Sequence, residues 1–200
     1  SNLNVKRITI SDGLNPIFIS EDFYKGKPNP HAWISPKRGI IYVDIIVKSL
    51  SELKPSKAEL FKKNGQIYKN KISRLDKDFS LFINNLDKNN KHLVTCEGAF
   101  SYLANDYGMK EAYLWPVNAE SLITPKRMAR TISLVNSKKV PAVFCESTVS
   151  NESQMIVAEE TGAKFGGDLF VDSLSESDGV ANSYLNMLKH NLILIKQGLN

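Results

Sequence analysis

Three residues of this 200-residue chain have side chains and settings that could do chemistry together. His31 lies in the phrase Asn29-Pro30-His31-Ala32-Trp33, Glu97 ends the apolar run Leu93-Val94-Thr95-Cys96, and Asp172 follows Leu169-Phe170-Val171. One imidazole and two carboxylates are the donors that hold a borderline divalent cation, and donors drawn from three distant segments build a cleft site rather than a compact finger. Read alone, each has a plainer role. His31 could be a loop histidine bonded to backbone, Glu97 could cap the helix after it, and Asp172 could be a turn residue. Glu146 stays open between orienting a metal ligand and capping the helix expected near Asn151. Trp33 and Trp115 are expected to pack along the cleft.

Cys96 and Cys145 each precede a glutamate, in Thr-Cys-Glu-Gly and Phe-Cys-Glu-Ser. The two phrases are expected on neighbouring strands. No Cys-x-x-Cys spacing occurs, which excludes a zinc knuckle or a thioredoxin-type motif. Two buried thiols are the expected state; a disulfide stays open for an oxidising compartment.

The elements that must position these residues are read from periodicity. Ile8–Ile10 and Ile17–Ile19 read as short strands. Ser35-Pro36 reads as a helix start with a capping serine, and the helix runs to about Leu53. Ser56 and Glu59 form a capping-box pattern, after which Leu60, Ile67, Ile72, Leu75, Phe79, Ile83 and Leu86 recur at helical spacing. That predicts one helix of about 45 Å, long enough to brace two lobes, with a bend allowed at Gly65. From residue 91 onward the rhythm alternates. Strands are predicted at Leu93–Thr95, Ala112–Trp115, Ala142–Cys145 and Lys164–Leu169. Helices are predicted at Ala99–Tyr107, at Pro125–Ser137 after a Thr124 cap, at Asn151–Thr161 and at Val180–Leu199. Such alternation is a doubly wound α/β unit, whose ligands bind beyond the carboxyl ends of the strands, where Glu97 and Asp172 fall.

Composition narrows the function classes. The formal net charge is +5, but ten of the 26 basic residues lie between Lys54 and Lys91, as a solvated helix face would have them. Without a zinc finger or an aromatic-interleaved basic patch, nucleic acid is not expected as a partner. No run of about eighteen apolar residues is present to span a membrane. The first residues show no signal peptide, and the abrupt opening on a strand-like segment suggests a matured or truncated product.

Taken in order, Asn29–Trp33 with Ser35-Pro36, Thr95-Cys96-Glu97-Gly98-Ala99-Phe100, Tyr113-Leu114-Trp115-Pro116-Val117-Asn118, Glu146-Ser147-Thr148 and Val171-Asp172-Ser173 resemble the zinc/manganese solute-binding proteins of ABC importers. The resemblance implies two doubly wound lobes joined by one long rigid helix, a cation between them, and no catalysis. It divides the chain into residues 1–54, the remainder of an incomplete N-terminal metal-binding lobe; 55–90, the linking helix; and 91–200, the C-terminal α/β lobe. It assigns His31, Glu97 and Asp172 as metal ligands and implies a further histidine upstream of this chain, for which His92 and His190 are poor substitutes. Asn29 and Ser35 stand where the family usually has aspartate. Glu97, where the zinc branch tends to have histidine, and the lack of a His-rich acidic loop favour Mn2+ over Zn2+ as transported cargo. The expected partners are that divalent ion and an ABC permease, the expected state is a monomer, and the expected location is periplasmic or otherwise extracytoplasmic. Two rivals remain on sequence alone: a metal-assisted hydrolase using Glu97 or Glu146 as base, and a surface adhesin of the same fold.

Overall fold

A computed structural model describes residues 7–117 and 123–200. Asn118, the end of one of the family-like blocks, lies outside them. No helix of the described residues is long and apolar enough to cross a membrane.

The continuous apolar runs become strands covered on both faces. Every residue of β1 (His92–Glu97) and β3 (Ala142–Glu146) is buried, the pattern of parallel strands with helices on either side. β2 (Lys110–Trp115) pairs in parallel with β1, setting Thr95 opposite Tyr113 and Glu97 opposite Trp115. β4 (Lys164–Leu169) pairs in parallel with β3, with a register shift between Val143 and Cys145. The two pairs meet along β1 and β3. There the Cys96 and Cys145 Cα atoms are 4.8 Å apart, and the buried Gln154 amide donates to the carbonyls of both Val94 and Phe144, at 3.3 and 2.9 Å.

Side-chain alternation splits the core in two. Leu93 and Phe144 face α2 (Ala58–Asn85), α3 (Ser101–Asp106) and α6 (Tyr184–Leu199), meeting Ile72, Phe79, Leu103, Leu188 and Ile195. Val94, Cys96, Val143 and Cys145 face α4 (Pro125–Lys138) and α5 (Glu152–Thr161), meeting Val135 and Val157. Helices thus cover both faces, the doubly wound arrangement the alternation predicted.

The long helix α2 has 28 residues, about 42 Å of rise. It carries α1 (Pro36–Leu53) on one part of its length and packs into the β-sheet core on another. Gly65 serves close packing. A Cβ there would sit 2.3 Å from Val47 Cγ2, so glycine is what lets α1 approach α2. A separate tie comes from the turn at Glu21 and Asp22: Arg127 of α4 pairs with Asp22, and Arg127 and Arg130 lie 3.7 and 3.4 Å from Glu21.

Five local expectations are corrected. Ile8–Ile10 forms no strand, and the second expected strand, Ile17–Ile19, is reduced to one antiparallel bridge between Phe18 and Pro28; a strand needs a neighbour for its backbone groups. Ser35 does precede the helix with Pro36 in its first turn, but its hydroxyl donates to Asp106 Oδ2 at 2.7 Å instead of capping. The Ser56/Glu59 box does not form, because Pro55–Lys57 is a 3-10 turn and α2 starts from Lys57; Glu59 pairs with Lys62. The closing helix begins at Tyr184, after a polar loop.

Candidate metal-binding site

His31 is held by a neighbour two residues away. Its backbone N–H donates to Asn29 Oδ1 at 3.0 Å, and its Nδ1 lies 2.9 Å from the same oxygen. Only an oxygen can accept from a backbone N–H, so the Asn29 amide orientation follows from the chain itself. Nδ1 then carries the proton and Nε2 the lone pair. That Nε2 lies 3.7 Å from Asp172 Oδ1. Burial pushes the imidazole pKa below its ordinary value, while the Asp172 charge pulls it the other way. Loss of the proton is what a metal requires of this ring.

Two hydrogen bonds flank His31 and lead to the two carboxylate segments. Asn29 Nδ2 donates to the carbonyl of Gly98, which follows Glu97, at 2.7 Å. Trp33 Nε1 donates to the carbonyl of Val171, which precedes Asp172, at 3.0 Å. The Trp33 ring also meets His31 edge-on at 5.3 Å, and Tyr184 donates to the Trp33 carbonyl at 2.8 Å. The three sequence-predicted donors therefore occupy adjoining segments at the carboxyl end of the sheet, the end where such folds bind ligands.

Their settings differ. Glu97 is 6% exposed; its backbone N–H donates to Glu146 Oε2 at 3.1 Å and its carbonyl accepts from Thr95 Oγ1 at 2.7 Å. At the start of the next helix, the backbone N–H of the N-cap residue Phe100 goes to Glu111. Glu146 is not a cap of α5 either, since it reaches Glu97. Burial first, and the Glu97 charge second, push the Glu146 carboxyl well above the usual range, and its Oε1 meets no hydrogen-bond partner among the described residues. Asp172, by contrast, has a side chain 48% exposed.

The cysteines form a disulfide, Cys96–Cys145, where two thiols were expected. Among the described residues, the titratable trio with ligand atoms all within 4.8 Å is Cys96, Cys145 and Glu146, not His31, Glu97 and Asp172. Bonded sulfurs offer no thiolate, so that trio is not a metal site in this state. His190 lies apart, against the Asp168 carbonyl and the Phe170 ring, and His92 is buried at the opening of β1.

Sequence reasoning passed over the amide of Asn29 and the pair Ser101 and Glu111. Ser101 Oγ donates to Glu111 Oε2 at 2.6 Å and lies 3.2 Å from Asn29 Nδ2. A glutamate within a strand paired to the buried β1 was the available signal.

Residues 1–198 match the family described as zinc-uptake complex component A, periplasmic. The chain is 41% identical over 195 residues to the iron-binding protein YfeA of Yersinia pestis, covering 98% of this chain and 63% of that protein. It is 35% identical over 196 residues to the manganese ABC transporter substrate-binding lipoprotein PsaA of Streptococcus mitis, with the same coverages, 98% and 63%. It superposes with a TM-score of 0.90 and 41% identity on a manganese-bound variant of the periplasmic metal binding protein from Candidatus Liberibacter asiaticus, covering 98% of this chain and 74% of that one. The chain spans just under two thirds of the curated relatives it matches. With its fold, its ordered sequence blocks and these matches in agreement, the chain belongs to the ZnuA/TroA-like family of periplasmic metal-binding proteins.

Proposed function

We propose that this chain is part of the capture component of an ABC importer, binding a divalent transition metal and handing it to a permease without catalysing a reaction. His31, Glu97 and Asp172 supply the donors. The observation that carries this reading is the pair of bonds from Asn29 to Gly98 and from Trp33 to Val171, which bind the His31 segment to both carboxylate segments, with His31 Nε2 already 3.7 Å from Asp172. Residues 1–54 belong to one lobe, 55–90 to the linking helix and 91–200 to the second lobe, and the carrier works as a monomer outside the cytoplasm. The disulfide fits an oxidising compartment.

Together with the further histidine the family resemblance implies, these donors would make four and leave no open position for water or substrate, which suits storage rather than hydrolysis. Manganese is the favoured cargo, since relatives are named for manganese transport and a carboxylate stands at position 97. Imidazole and carboxylate still bind zinc at least as tightly, so affinity alone does not identify the cargo.

The test is competitive titration with manganese and zinc on this chain and on a form extended at its amino terminus to include the further histidine the family resemblance implies. One bound ion, lost on His31→Ala, is the expected result. Stoichiometric binding that survives His31→Ala in both forms would overturn the donor assignment.

A further inference from the structure

Beyond the proposed donors, a line of hydrogen bonds runs from the imidazole into the sheet. His31 Nδ1 meets Asn29 Oδ1 at 2.9 Å, Asn29 Nδ2 donates to Ser101 Oγ at 3.2 Å, and Ser101 Oγ donates to Glu111 Oε2 at 2.6 Å. The other Glu111 oxygen accepts the Phe100 N–H at 3.0 Å. The segments at residues 29–31, 100–101 and 111 thus share one chain of contacts. Asn29, Gly98, Ser101 and Glu111 also share the wall of one cavity of about 360 Å³, with Ser20, Asn105 and Tyr113.

We propose that Glu111 is a positioning residue for the metal-binding imidazole of His31, acting through Ser101 and Asn29. The inference rests on the reading of His31 as a metal donor.

The argument is one of polarity. A serine hydroxyl has one proton and can point it toward either neighbour. Both Glu111 oxygens act as acceptors here, one from the Phe100 N–H and one from the Ser101 hydroxyl, so Glu111 draws the Ser101 proton to itself and turns the Ser101 lone pairs toward Asn29. That arrangement accepts only the NH2 end of the Asn29 amide, which leaves Oδ1 facing His31. An amide oxygen beside Nδ1 holds the proton on that nitrogen and presents the Nε2 lone pair to the cation. Without Glu111 the hydroxyl is free to point at Asn29, and the amide loses one of three contacts that keep its orientation, another being the His31 N–H, which donates to Oδ1 at 3.0 Å. The third is the Gly98 carbonyl, 2.7 Å from Nδ2, which ties the same amide to the residue after Glu97. The spacing between imidazole and Glu97 and the direction of the Nε2 lone pair therefore depend on one asparagine, and Glu111 secures it from the far side.

Ser101→Ala breaks the line while leaving the Glu111 contact with Phe100 in place, so it is the gentler variant; Glu111→Ala removes both. The measurement is manganese affinity by chelator competition, with 15N shifts of the His31 ring nitrogens recorded on the metal-free protein. Each substitution is expected to weaken binding about tenfold, the double variant no more than either alone, and the ring shifts to move toward a mixed tautomer in both. The proposal is overturned if Ser101→Ala binds within twofold of the parent, if the two losses multiply, or if affinity falls with unchanged His31 shifts. Full affinity in His31→Ala would overturn the donor reading and this proposal with it, whereas loss in His31→Ala with no effect of Ser101→Ala overturns this proposal alone.

Discussion

Glu97 and Asp172 are both carboxylates just past apolar strands, yet the structure treats them in opposite ways. Glu97 is almost fully buried, its backbone fastened to Glu146, and the residue before it is bonded through sulfur to the neighbouring strand. Asp172 is half exposed on the segment between β4 and α6, where the chain forms turns rather than regular structure. The same residue chemistry is thus preset on one side and adjustable on the other. In the proposed carrier both would serve: a buried donor would lower the ordering cost of capture, and an exposed one would provide a way out.

The buried side can be broken most forcefully at its crosslink. Cys96 and Cys145 are 49 residues apart in sequence, and closing a loop of that size restricts the unfolded chain by about 4 kcal/mol in the entropic description. Cys96→Ser with Cys145→Ser should lower the thermal midpoint by about 10 °C for a chain of this length, as calorimetry would record. An unchanged midpoint would mean that the β1–β3 junction owes its rigidity to packing and Gln154 alone.

A second cost of the buried side is ionisation. Burial pushes the Glu111 carboxyl up to about 7, against the opposing hydrogen bonds from Ser101 and Phe100. Relative to the unfolded chain the folded state binds this proton more tightly, and the ionised carboxylate forms as the pH rises through about 7. The proton's contribution to stability is full below the ordinary carboxylate range and is lost as the pH rises through about 7. Between pH 4.5 and 8 that loss amounts to about 3 kcal/mol. Urea unfolding of the parent and of Glu111→Gln at pH 5 and pH 8 measures it: the parent should lose stability relative to the variant as the pH rises. Parallel curves would show that Glu111 keeps an ordinary carboxylate pKa.

The same contrast decides what could be read from sequence. β1, β3 and α2 were legible because burial on both faces writes a continuous apolar run and burial on one face writes a helical period. The Thr124 cap was legible because it is local: its hydroxyl accepts from Arg127 three residues on. Ser35 and Ser56 have the same local signature, but Asp106, 71 residues away, takes the Ser35 hydroxyl, and the Pro55 turn displaces the start of α2. The disulfide depends on the spacing between two strands, a tertiary quantity that no count of cysteines contains. His31, Glu97 and Asp172 stood out through ordered motifs; Ser101 and Glu111 did not, because their partnership exists only where β2 passes the start of α3.

The proposed donors give a direct comparison across the cleft. Asp172→Ala removes a donor and should weaken manganese binding about 100-fold, while Glu146→Ala removes only the support under Glu97 and should cost about tenfold. Isothermal titration of both variants checks the order, and a larger loss for Glu146→Ala would place the energetic centre of the site on the buried side.

The smallest effect is the most informative about release. If Asp172 is the adjustable donor, metal should protect the backbone amides around residues 170–183 from hydrogen exchange and leave those of β1 and β3 nearly as they were, since their amides already exchange only through larger openings. The internal bonds of that loop, Ser175 N–H to the Ala181 carbonyl at 3.1 Å and Ala181 N–H to Ser175 Oγ at 3.0 Å, give it a shape that can shift as a unit. The long α2 helix packs along both α1 and the sheet core; under the proposal that it links two lobes, it would resist wide opening, and a change confined to this loop would be the route left for release. Equal protection of residues 170–183 with and without metal, measured alongside unchanged β1, would remove the asymmetry between the two carboxylates and require the ion to leave by a movement of the lobes instead.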